Sequence, residues 1–318
     1  MSEQSPEQGK GRRVGFIGLG VMGAPMCRHI AQKAVSAEIT SVTALDVNGD
    51  AARALGTFGV VAVDSVPALV AQSDMIHLCL PGGAQLEDVC RGQGHLMACV
   101  RPGQAVVDHG TSPAPLTRGL AAEFAELGVA FADAPVTRTR EAAEAGTLVT
   151  LFGGDEPLLE RVTPTLLAFS AEIVHCGAVG AGQIFKQLNN MVLFQNVVAL
   201  SEALATARRA GVDDVKLFHA LSQGSADSFA LRNHGMKSLL PGVFPERAFS
   251  AAYALKDLTY AIELAEAHGL ELEQADATRR RLEAAISAGY ADDYFPTVLK
   301  AVDDAVSSAP RSSGRSRA

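Results

Sequence analysis

The amino-acid sequence predicts an α/β domain with a doubly wound, mostly parallel sheet, followed by a long interdomain helix and an all-α domain. Up to about residue 176, short apolar runs alternate with helical segments, which is the pattern of strands joined by crossover helices. From Gly182 to about Ala210 a helical period continues without proline or further glycine, and no strand pattern follows it. We therefore expect an α/β domain over 12–176, a helical part over 177–308, and disordered termini at 1–11 and 309–318.

Composition limits the kinds of partner. The chain has 318 residues, of which 48% are hydrophobic, and a formal charge of −8, which disfavours nucleic acid and anionic membranes as partners. Its five cysteines show no metal-ligand or disulfide spacing, so we expect free thiols and no metal. No signal-like or membrane-spanning apolar run occurs, and we place the protein in the cytoplasm.

The first element predicts a phosphate-binding turn. A buried strand, Arg12 to Leu19, leads directly into a glycine-rich turn and then a helix from Ala24 to about Ala34. Gly18 permits the tight turn, Gly20 lets a pyrophosphate approach the backbone, and Gly23 lets helix and strand pack closely. The predicted dinucleotide loop comprises Gly18, Leu19, Gly20, Val21, Met22 and Gly23.

The second strand, Ser41 to Leu45, ends in Asp46. A carboxylate at this point can accept hydrogen bonds from the adenosine ribose and repel a 2′-phosphate, which favours NAD over NADP. The alternative is an ordinary cap of the next helix. Together with the glycine pattern we favour the cofactor role.

Further strands fit Val60 to Val63, Met75 to Leu80, Gln104 to Asp108, Ala130 to Ala132, Gly146 to Gly154 and Glu172 to His175, and a helix fits Glu156 to Ala168. Ligands of such sheets bind at the carboxyl ends of the strands. Those ends carry Leu80 and Pro81, the segment 108–113, and the segment 133–140. His109 is interpreted as a local hydrogen-bonding residue rather than an acid or base.

Two arginines follow the strand that ends near Asp133. Arg138 and Arg140 are either solvated, which is the usual case, or they bind an anionic group of the substrate in this acidic protein. A carboxylate, sulfonate or phosphate would suit them equally.

The long helix carries three polar residues on one side near its start. Lys186, Asn189 and Asn190 stand at i, i+3 and i+4. An amine there can transfer a proton and the amides can bind a substrate hydroxyl, whereas the alternative is a solvated lysine beside surface amides.

Beyond this helix the chain is helical in pattern, over Val212 to Leu221, Ser228 to Leu239, Ala251 to His268, Glu273 to Gly289 and Tyr294 to Ser307. Lys256 could face the predicted site or could be a surface lysine beside an aspartate. The helical part is thin for a core of its own, so we expect a homodimer or homotetramer.

These motifs together resemble the β-hydroxyacid dehydrogenases, the group that includes 3-hydroxyisobutyrate dehydrogenase, tartronate semialdehyde reductase and sulfolactaldehyde reductase. The resemblance covers about residues 12 to 305, through GLGVMGAPM, Leu80-Pro81, DHGTSP, DAPVTRTREAAEAGTL, GAGQIFKQLNN and LKDL. It implies a Rossmann-like domain, Lys186 as general acid/base, and Asn190 as a substrate ligand. It also implies that Lys256 lies near substrate and nicotinamide. The expected substrate-binding residues are Thr111, Thr137, Arg138, Thr139, Asn189 and Asn190, and the expected cofactor contacts beyond the glycine loop are Asp46, Leu80, Pro81, Thr111 and Lys256.

The chain departs from the family pattern at two points. Gly110 stands where the family has a serine, which removes one hydroxyl for the substrate acid group. Thr137-Arg138-Thr139 replaces Ser-Gly-Gly; its Arg-Thr is similar to sulfolactaldehyde reductases, although Thr137 and Arg140 differ from their glycine and serine. The sequence is therefore compatible with more than one acid group on the substrate.

We expect an NAD-dependent oxidoreductase that acts on a short 3-hydroxy acid, or its semialdehyde, with an anionic head group bound between the domains. Four alternative functions share this overall plan or chemistry. A sulfolactaldehyde reductase-type activity on a sulfonate is compatible with Arg138. An imine reductase and a non-catalytic nucleotide-binding relative are disfavoured by Lys186, and a 6-phosphogluconate dehydrogenase would be much longer.

Overall fold

A computed structural model describes residues 11–92, 95–246 and 248–307. The chain divides into two compact units, Met1–Lys186 and Gln187–Ala318. The predicted domain boundary at residues 176 and 177 lies slightly earlier in the chain and stays a prediction. The predicted disorder of the termini falls outside the described residues, except for Gly11.

The first unit contains a nine-stranded sheet. Its strands are β1 Arg12–Ile17, β2 Ile39–Leu45, β3 Val60–Ala62, β4 Met75–Leu78, β5 Ala105–Asp108, β6 Ala130–Asp133, β7 Val136–Thr137, β8 Leu148–Gly153 and β9 Ser170–Gly177. The order is β3-β2-β1-β4-β5-β6-β8-β7, with β9 paired to β8. Strands β1 to β6 pair in parallel, β8 runs antiparallel to β6 and β7, and β9 runs parallel to β8. The order reverses direction beside β1, which is where such sheets bind dinucleotides.

Helices cover the sheet between the strands. They are α1 Gly23–Gln32, α2 Gly49–Ala54, α3 Val66–Ala71, α4 Gly83–Arg91, α5 Leu96–Cys99, α6 Ala114–Glu126, α7 Arg140–Ala145 and α8 Glu156–Phe169, with a 3₁₀ turn at Leu55–Phe58. Residues 133–140, predicted as a strand-end loop, include β7 and the start of α7 in the structure. Both elements are too short to show a period.

The two faces of the sheet each bury an apolar cluster. Phe16, Met26 and Phe152 lie in one, and Ile76 and Phe124 in the other. Strands buried on both faces appear as continuous apolar runs, which is why β1, β4 and β5 were recognisable from sequence.

Helix α9, Ala181–Arg209, has 29 residues; it begins in the first unit, and from Gln187 onward it belongs to the second. At 1.5 Å per residue it is about 43 Å long. The other helices are α10 Asp214–Gln223, α11 Ala251–Glu266, α12 Glu273–Ser287 and α13 Val298–Ser307, with a π-helix at Leu231–Leu239 and a 3₁₀ turn at Phe295–Thr297. Phe194, Phe218, Leu258, Leu282 and Phe295 lie in the core of this unit. The structure thus confirms the predicted fold class.

Candidate active site

The glycine loop between β1 and α1 has the shape of a dinucleotide loop. Gly18 adopts φ +94°, and a Cβ there would lie 2.3 Å from the carbonyl oxygen of Cys79. A Cβ on Gly23 would lie 2.0 Å from the Gly18 carbonyl oxygen, so the backbones of the helix and the loop are in direct contact. At Gly20 an added Cβ would meet nothing within 4 Å. The loop therefore leaves open space beside its backbone at the position where a pyrophosphate would approach, and its residues fit a bound dinucleotide.

Asp46 follows β2 and braces this loop. Its Oδ2 accepts the backbone N–H of Leu19 at 2.5 Å, and its Oδ1 accepts that of Asn48 at 2.7 Å. The nearest following guanidinium, on Arg53, is exposed and forms an ion pair with Asp50 at 2.7 Å. The carboxylate is half-buried, at the end of the strand where a ribose would bind.

The loop after β4 adjoins the glycine loop on one side and the loop after β5 on the other. A Cβ on Gly18 would lie 3.2 Å from the Leu80 side chain, and one on Gly110 would lie 3.0 Å from the Leu80 carbonyl oxygen. The absence of a side chain at Gly110 therefore matches the close approach of this carbonyl. Thr111 is half-buried beside it, while Pro81 is exposed.

His109 lies inside the first unit. Its Nδ1 donates to the Ala134 carbonyl at 2.9 Å, so its Nε2 accepts from His77 Nδ1 at 2.8 Å. The two rings stack with centroids 5.1 Å apart. Burial lowers the pKa of His109 to about 4 and that of His77 well below its usual value, the neighbouring ring adding to the effect on His77. His109 is a local hydrogen-bonding residue, as interpreted from the sequence.

The start of α9 is fixed to the end of β6. Asp133, which is fully buried, accepts the backbone N–H of Gly180 at 2.6 Å and that of Gln183 at 2.7 Å. Burial raises the pKa of this carboxyl to about 6, an effect that these hydrogen bonds partly oppose. The carboxylate binds N–H groups that have no partner within the helix.

The Gln183 side chain joins the same helix to the loop after β5. Its Oε1 accepts the Ser112 N–H at 3.0 Å, and its Nε2 donates to the Gly110 carbonyl at 3.0 Å and lies 3.4 Å from Asp108 Oδ2. The loop that carries Thr111 is therefore bonded to the helix that carries Lys186.

Lys186, Asn189 and Asn190 all lie in the first three turns of α9, as predicted. Lys186 is half-buried, Asn189 is exposed and Asn190 is buried. The Asn189 amide donates to Asn190 Oδ1 at 3.1 Å. The two carboxamides thus interact directly, next to the lysine in the helix.

A buried carboxylate in the second unit connects two of the predicted residues. Asp257 Oδ2 accepts from Asn190 Nδ2 at 2.8 Å, and Lys256 Nζ lies 2.9 Å from Asp257 Oδ1. The Lys256 ammonium also lies 5.4 Å from the Tyr253 ring centroid and 5.1 Å from that of Tyr260. Lys256 is thus held in a defined place by charge and by aromatic faces.

Arg138 has an unusual backbone conformation, and its side chain is bonded to the segment that precedes β8. Its φ is +85°, in the region that favours glycine, and its Nη1 donates to the Thr147 carbonyl at 3.0 Å. Thr137 pairs with Val149 in β7, and Thr139 is the N-cap residue of α7; both are half-buried. Arg138 and Arg140 are exposed.

The structure therefore brings together the glycine loop, Asp46 and Leu80, and separately links the Thr111 loop to the helix of Lys186. It also joins Asn189, Asn190 and Lys256 through Asp257. The contacts of Asp133, Gln183 and Asp257 were not predicted from the sequence. The sequence signal at these positions is weak, because a single sequence does not show which group a carboxylate or amide within an otherwise apolar helix or strand contacts.

The described residues also bear on metal binding and on membrane insertion. No group of three or more histidine, cysteine or acidic side chains there could hold a metal ion. None of the described helices combines the length and hydropathy that a bilayer span requires.

Comparison with known proteins identifies the family. Residues 13–177 match the NAD binding domain of 6-phosphogluconate dehydrogenase, and residues 180–302 match the NAD-binding domain of NADP-dependent 3-hydroxyisobutyrate dehydrogenase. The chain is 34% identical to 2-hydroxy-3-oxopropionate reductase of Escherichia coli (strain K12) over 260 residues, which are 82% of this chain and 86% of that protein. It is 32% identical to a probable 3-hydroxyisobutyrate dehydrogenase of Mycobacterium tuberculosis (strain H37Rv) over 298 residues, 90% and 96% of the two chains.

A solved structure shows the same fold. Mycobacterium tuberculosis 3-hydroxyisobutyrate dehydrogenase with L-serine superposes with a TM-score of 0.81 at 29% identity, covering 92% of this chain and 99% of that one. The family matches extend over both units, and the glycine loop and sheet order of the first unit agree with a dinucleotide-binding domain. The chain therefore belongs to the β-hydroxyacid dehydrogenase family and is an NAD(P)-dependent hydroxyacid dehydrogenase.

Proposed function

We propose that this protein transfers a hydride between NAD and a short 3-hydroxy acid, or the corresponding semialdehyde, that carries an anionic head group. The observation that carries the proposal is the position of Lys186. It lies in the second turn of a helix whose start is bonded to the carboxyl ends of β5 and β6. Those strand ends are where a sheet of this order binds its ligands.

Lys186 acts as the general acid/base in this proposal. A neutral amine at Nζ takes the hydroxyl proton during oxidation, and the ammonium returns it during reduction. Asn190 orients the substrate hydroxyl, because its amide is buried and fixed by Asp257. A nicotinamide dinucleotide supplies the hydride acceptor, and the glycine loop, Asp46 and Leu80 would hold it.

NAD is preferred to NADP because Asp46 stands at the end of β2. The carboxylate would accept from ribose hydroxyls and repel a 2′-phosphate. The nearby Arg53, which could otherwise receive that phosphate, is paired with Asp50. The roles of Pro81, Thr111 and Lys256 beside the cofactor stay predictions.

Arg138, with Thr137 and Thr139, is proposed to bind the acid group of the substrate. The guanidinium uses one N–H for the Thr147 carbonyl, which leaves the other donors of its fork for an anion. The relatives named above act on carboxylates by their names, and a guanidinium accepts carboxylate and sulfonate alike. The sulfonate alternative therefore rests on Arg138 alone.

A substrate panel tests this function. We would measure NADH formation at 340 nm with three-carbon and four-carbon 3-hydroxy acids ending in carboxylate, sulfonate or phosphonate, for wild type, Lys186→Ala and Arg138→Ala. Wild type should oxidise at least one of these acids. Lys186→Ala should lower kcat about 10² to 10⁴-fold and leave NADH affinity nearly unchanged, because only the proton transfer is lost.

The variants also separate the substrate alternatives. A preference for sulfonate that disappears in Arg138→Ala would assign the acid group to Arg138 and favour the sulfolactaldehyde type. A carboxylate preference that is indifferent to Arg138→Ala would make Arg138 a surface residue. If Lys186→Ala retains more than about a tenth of wild-type kcat, the acid/base role is wrong.

A further inference from the structure

Asp133 holds the first turn of the Lys186 helix more tightly than a usual cap. A capping side chain commonly satisfies one free backbone N–H of a helix. Here one carboxylate accepts two, from Gly180 and from Gln183, at 2.6 and 2.7 Å. Because Asp133 ends β6 and is fully buried, the helix start is attached to the sheet itself.

Two glycines let the backbone close around this carboxylate. A Cβ on Gly153 would lie 2.5 Å from Asp133 Oδ1, and a Cβ on Gly182 would lie 2.8 Å from Asp133 Oδ2 and 2.4 Å from the Leu151 carbonyl oxygen. The start of the helix therefore cannot shift along β6 or β8 without a clash or the loss of a hydrogen bond.

Gln183 provides a second attachment, to the loop after β5. The amide oxygen accepts from Ser112 while the amide nitrogen donates to Gly110, and Thr111 lies between these two residues. Among side chains of this length only an amide offers an acceptor and a donor together, so neither glutamate nor methionine can replace both bonds.

Lys186 follows Gln183 by three positions, which places both on the same side of the helix. We propose that Asp133 and Gln183 are positioning residues that fix Lys186 relative to the Thr111 loop for proton transfer. The inference rests on the proposed acid/base role of Lys186. Neither residue needs to touch substrate or cofactor for this role.

The test compares Gln183→Met and Asp133→Asn with wild type. Methionine keeps the length of Gln183 and removes its bonds to Ser112, Gly110 and Asp108. Asparagine keeps the size of Asp133 but can accept only one of the two N–H groups. A displacement of about 1 Å can lower a rate about 100-fold, so we expect kcat to fall 10- to 100-fold in each variant. The dissociation constant for NADH should stay within about twofold, because the glycine loop and Asp46 are unchanged.

Two controls separate positioning from general damage. Val162→Ala truncates a fully buried side chain of the same unit and serves as a control for the effect of lost stability alone. Asp213→Asn changes the aspartate cap of α10, where Asp213 Oδ1 accepts the Lys216 N–H at 3.0 Å. Both controls should keep wild-type kcat at a temperature well below their unfolding midpoints.

A third readout responds to the proton transfer itself. The limb of the kcat pH profile that disappears in Lys186→Ala should shift by about half a pH unit or more in Gln183→Met, because the surroundings of the amine change. The solvent deuterium isotope effect on kcat should rise as the proton step becomes slower.

The inference is overturned if Gln183→Met keeps kcat within twofold of wild type, or if its loss equals that of Val162→Ala at matched stability. Gln183→Met decides the matter even if Asp133→Asn does not fold. The result with Lys186→Ala separates this inference from the proposed function. If Lys186→Ala is inactive while Gln183→Met is fully active, only the positioning role fails; if Lys186→Ala is fully active, both fail.

Discussion

Each unit contains a fully buried aspartate beside predicted site residues, but the two aspartates bind different kinds of group. Asp133 in the first unit accepts hydrogen bonds from backbone N–H groups, as does the half-buried Asp46. Asp257 in the second unit is bound by side chains, the Asn190 amide and the Lys256 ammonium.

The difference separates two ways of organising a site. A carboxylate that binds backbone fixes where a loop or helix runs, and the residues that it positions are neighbours in the chain. A carboxylate that binds side chains fixes rotamers, and it can join residues far apart in sequence, such as Asn190 and Lys256. Substitution of a carboxylate that binds backbone should therefore displace the functional groups of that segment. Substitution of a carboxylate that binds side chains should leave those side chains able to change rotamer.

The largest effect is expected at Asp257. Asp257→Ala leaves the buried Asn190 amide without its acceptor and Lys256 without this counter-charge, so stability should fall by about 1–3 kcal/mol. If Asn190 binds the substrate hydroxyl, kcat/KM should fall about 100-fold, the cost of about 2.7 kcal/mol of lost transition-state binding. Steady-state kinetics and chemical denaturation check these two results.

Two further variants make this prediction sharper. Asp257→Asn keeps an acceptor for Asn190 and loses the charge, so it should retain more activity than Asp257→Ala. Asn189→Ala removes an exposed donor to Asn190 and should change kcat/KM less than about threefold. A loss in Asn189→Ala as large as that in Asp257→Ala would mean that Asn189, and not Asn190, contacts the substrate.

A smaller effect is expected at Asp46. Asp46→Ala removes the acceptor for the Leu19 N–H and the repulsion of a 2′-phosphate, so NADH should bind about tenfold more weakly. The ratio of NAD to NADP affinity should fall at the same time. Fluorescence titration with NADH and NADPH measures both quantities. An unchanged ratio with weaker binding of both would show that Asp46 only braces the loop.

The parts of the fold that have strong local sequence signals were largely predictable. The β1 run, the glycine turn and the 29-residue helix have strong local signals, namely apolar period, glycine spacing and the absence of proline. The antiparallel direction of β8 and the short elements β7 and α7 were not predictable in the same way. Strand direction depends on partners distant in sequence, and two residues of strand carry no period.

The residues of the candidate site were likewise predictable only in part. Lys186 and Asn190 were recognisable because their spacing places them on one side of one helix. Asp257 was not assigned because its partner Asn190 lies 67 positions earlier in the chain, and Gln183 because its partners lie more than 70 positions away. Arg138 illustrates a further limit. Its left-handed backbone is a property of the folded turn, and an arginine at this position gives no sign of that backbone in the sequence.

The smallest effect concerns the pH dependence of stability, in which Asp133 opposes the two buried histidines of the same unit, His77 and His109. Because burial lowers the pKa of His109 from 6.5 to about 4, the unfolded chain takes up a proton as pH falls below 6.5 while the folded chain does not. Stability therefore decreases with falling pH, and His77 acts in the same direction. A proton on His77 Nε2 would have no acceptor among the described residues.

Asp133 acts with the opposite sign. Its pKa is raised to about 6, so its contribution to stability is complete below the unfolded value of 3.8 and is lost as pH rises through 6. Between pH 7 and pH 5 we expect a loss of about 2 kcal/mol from His109 and a gain of about 1 kcal/mol from Asp133. Asp133→Asn should therefore lose about 1 kcal/mol more stability over this interval than wild type does. Denaturant unfolding at pH 7, 6 and 5 measures the difference. Parallel pH curves for the two proteins would mean that the Asp133 carboxyl has the same pKa folded and unfolded, and that its two backbone hydrogen bonds fully offset the cost of its burial.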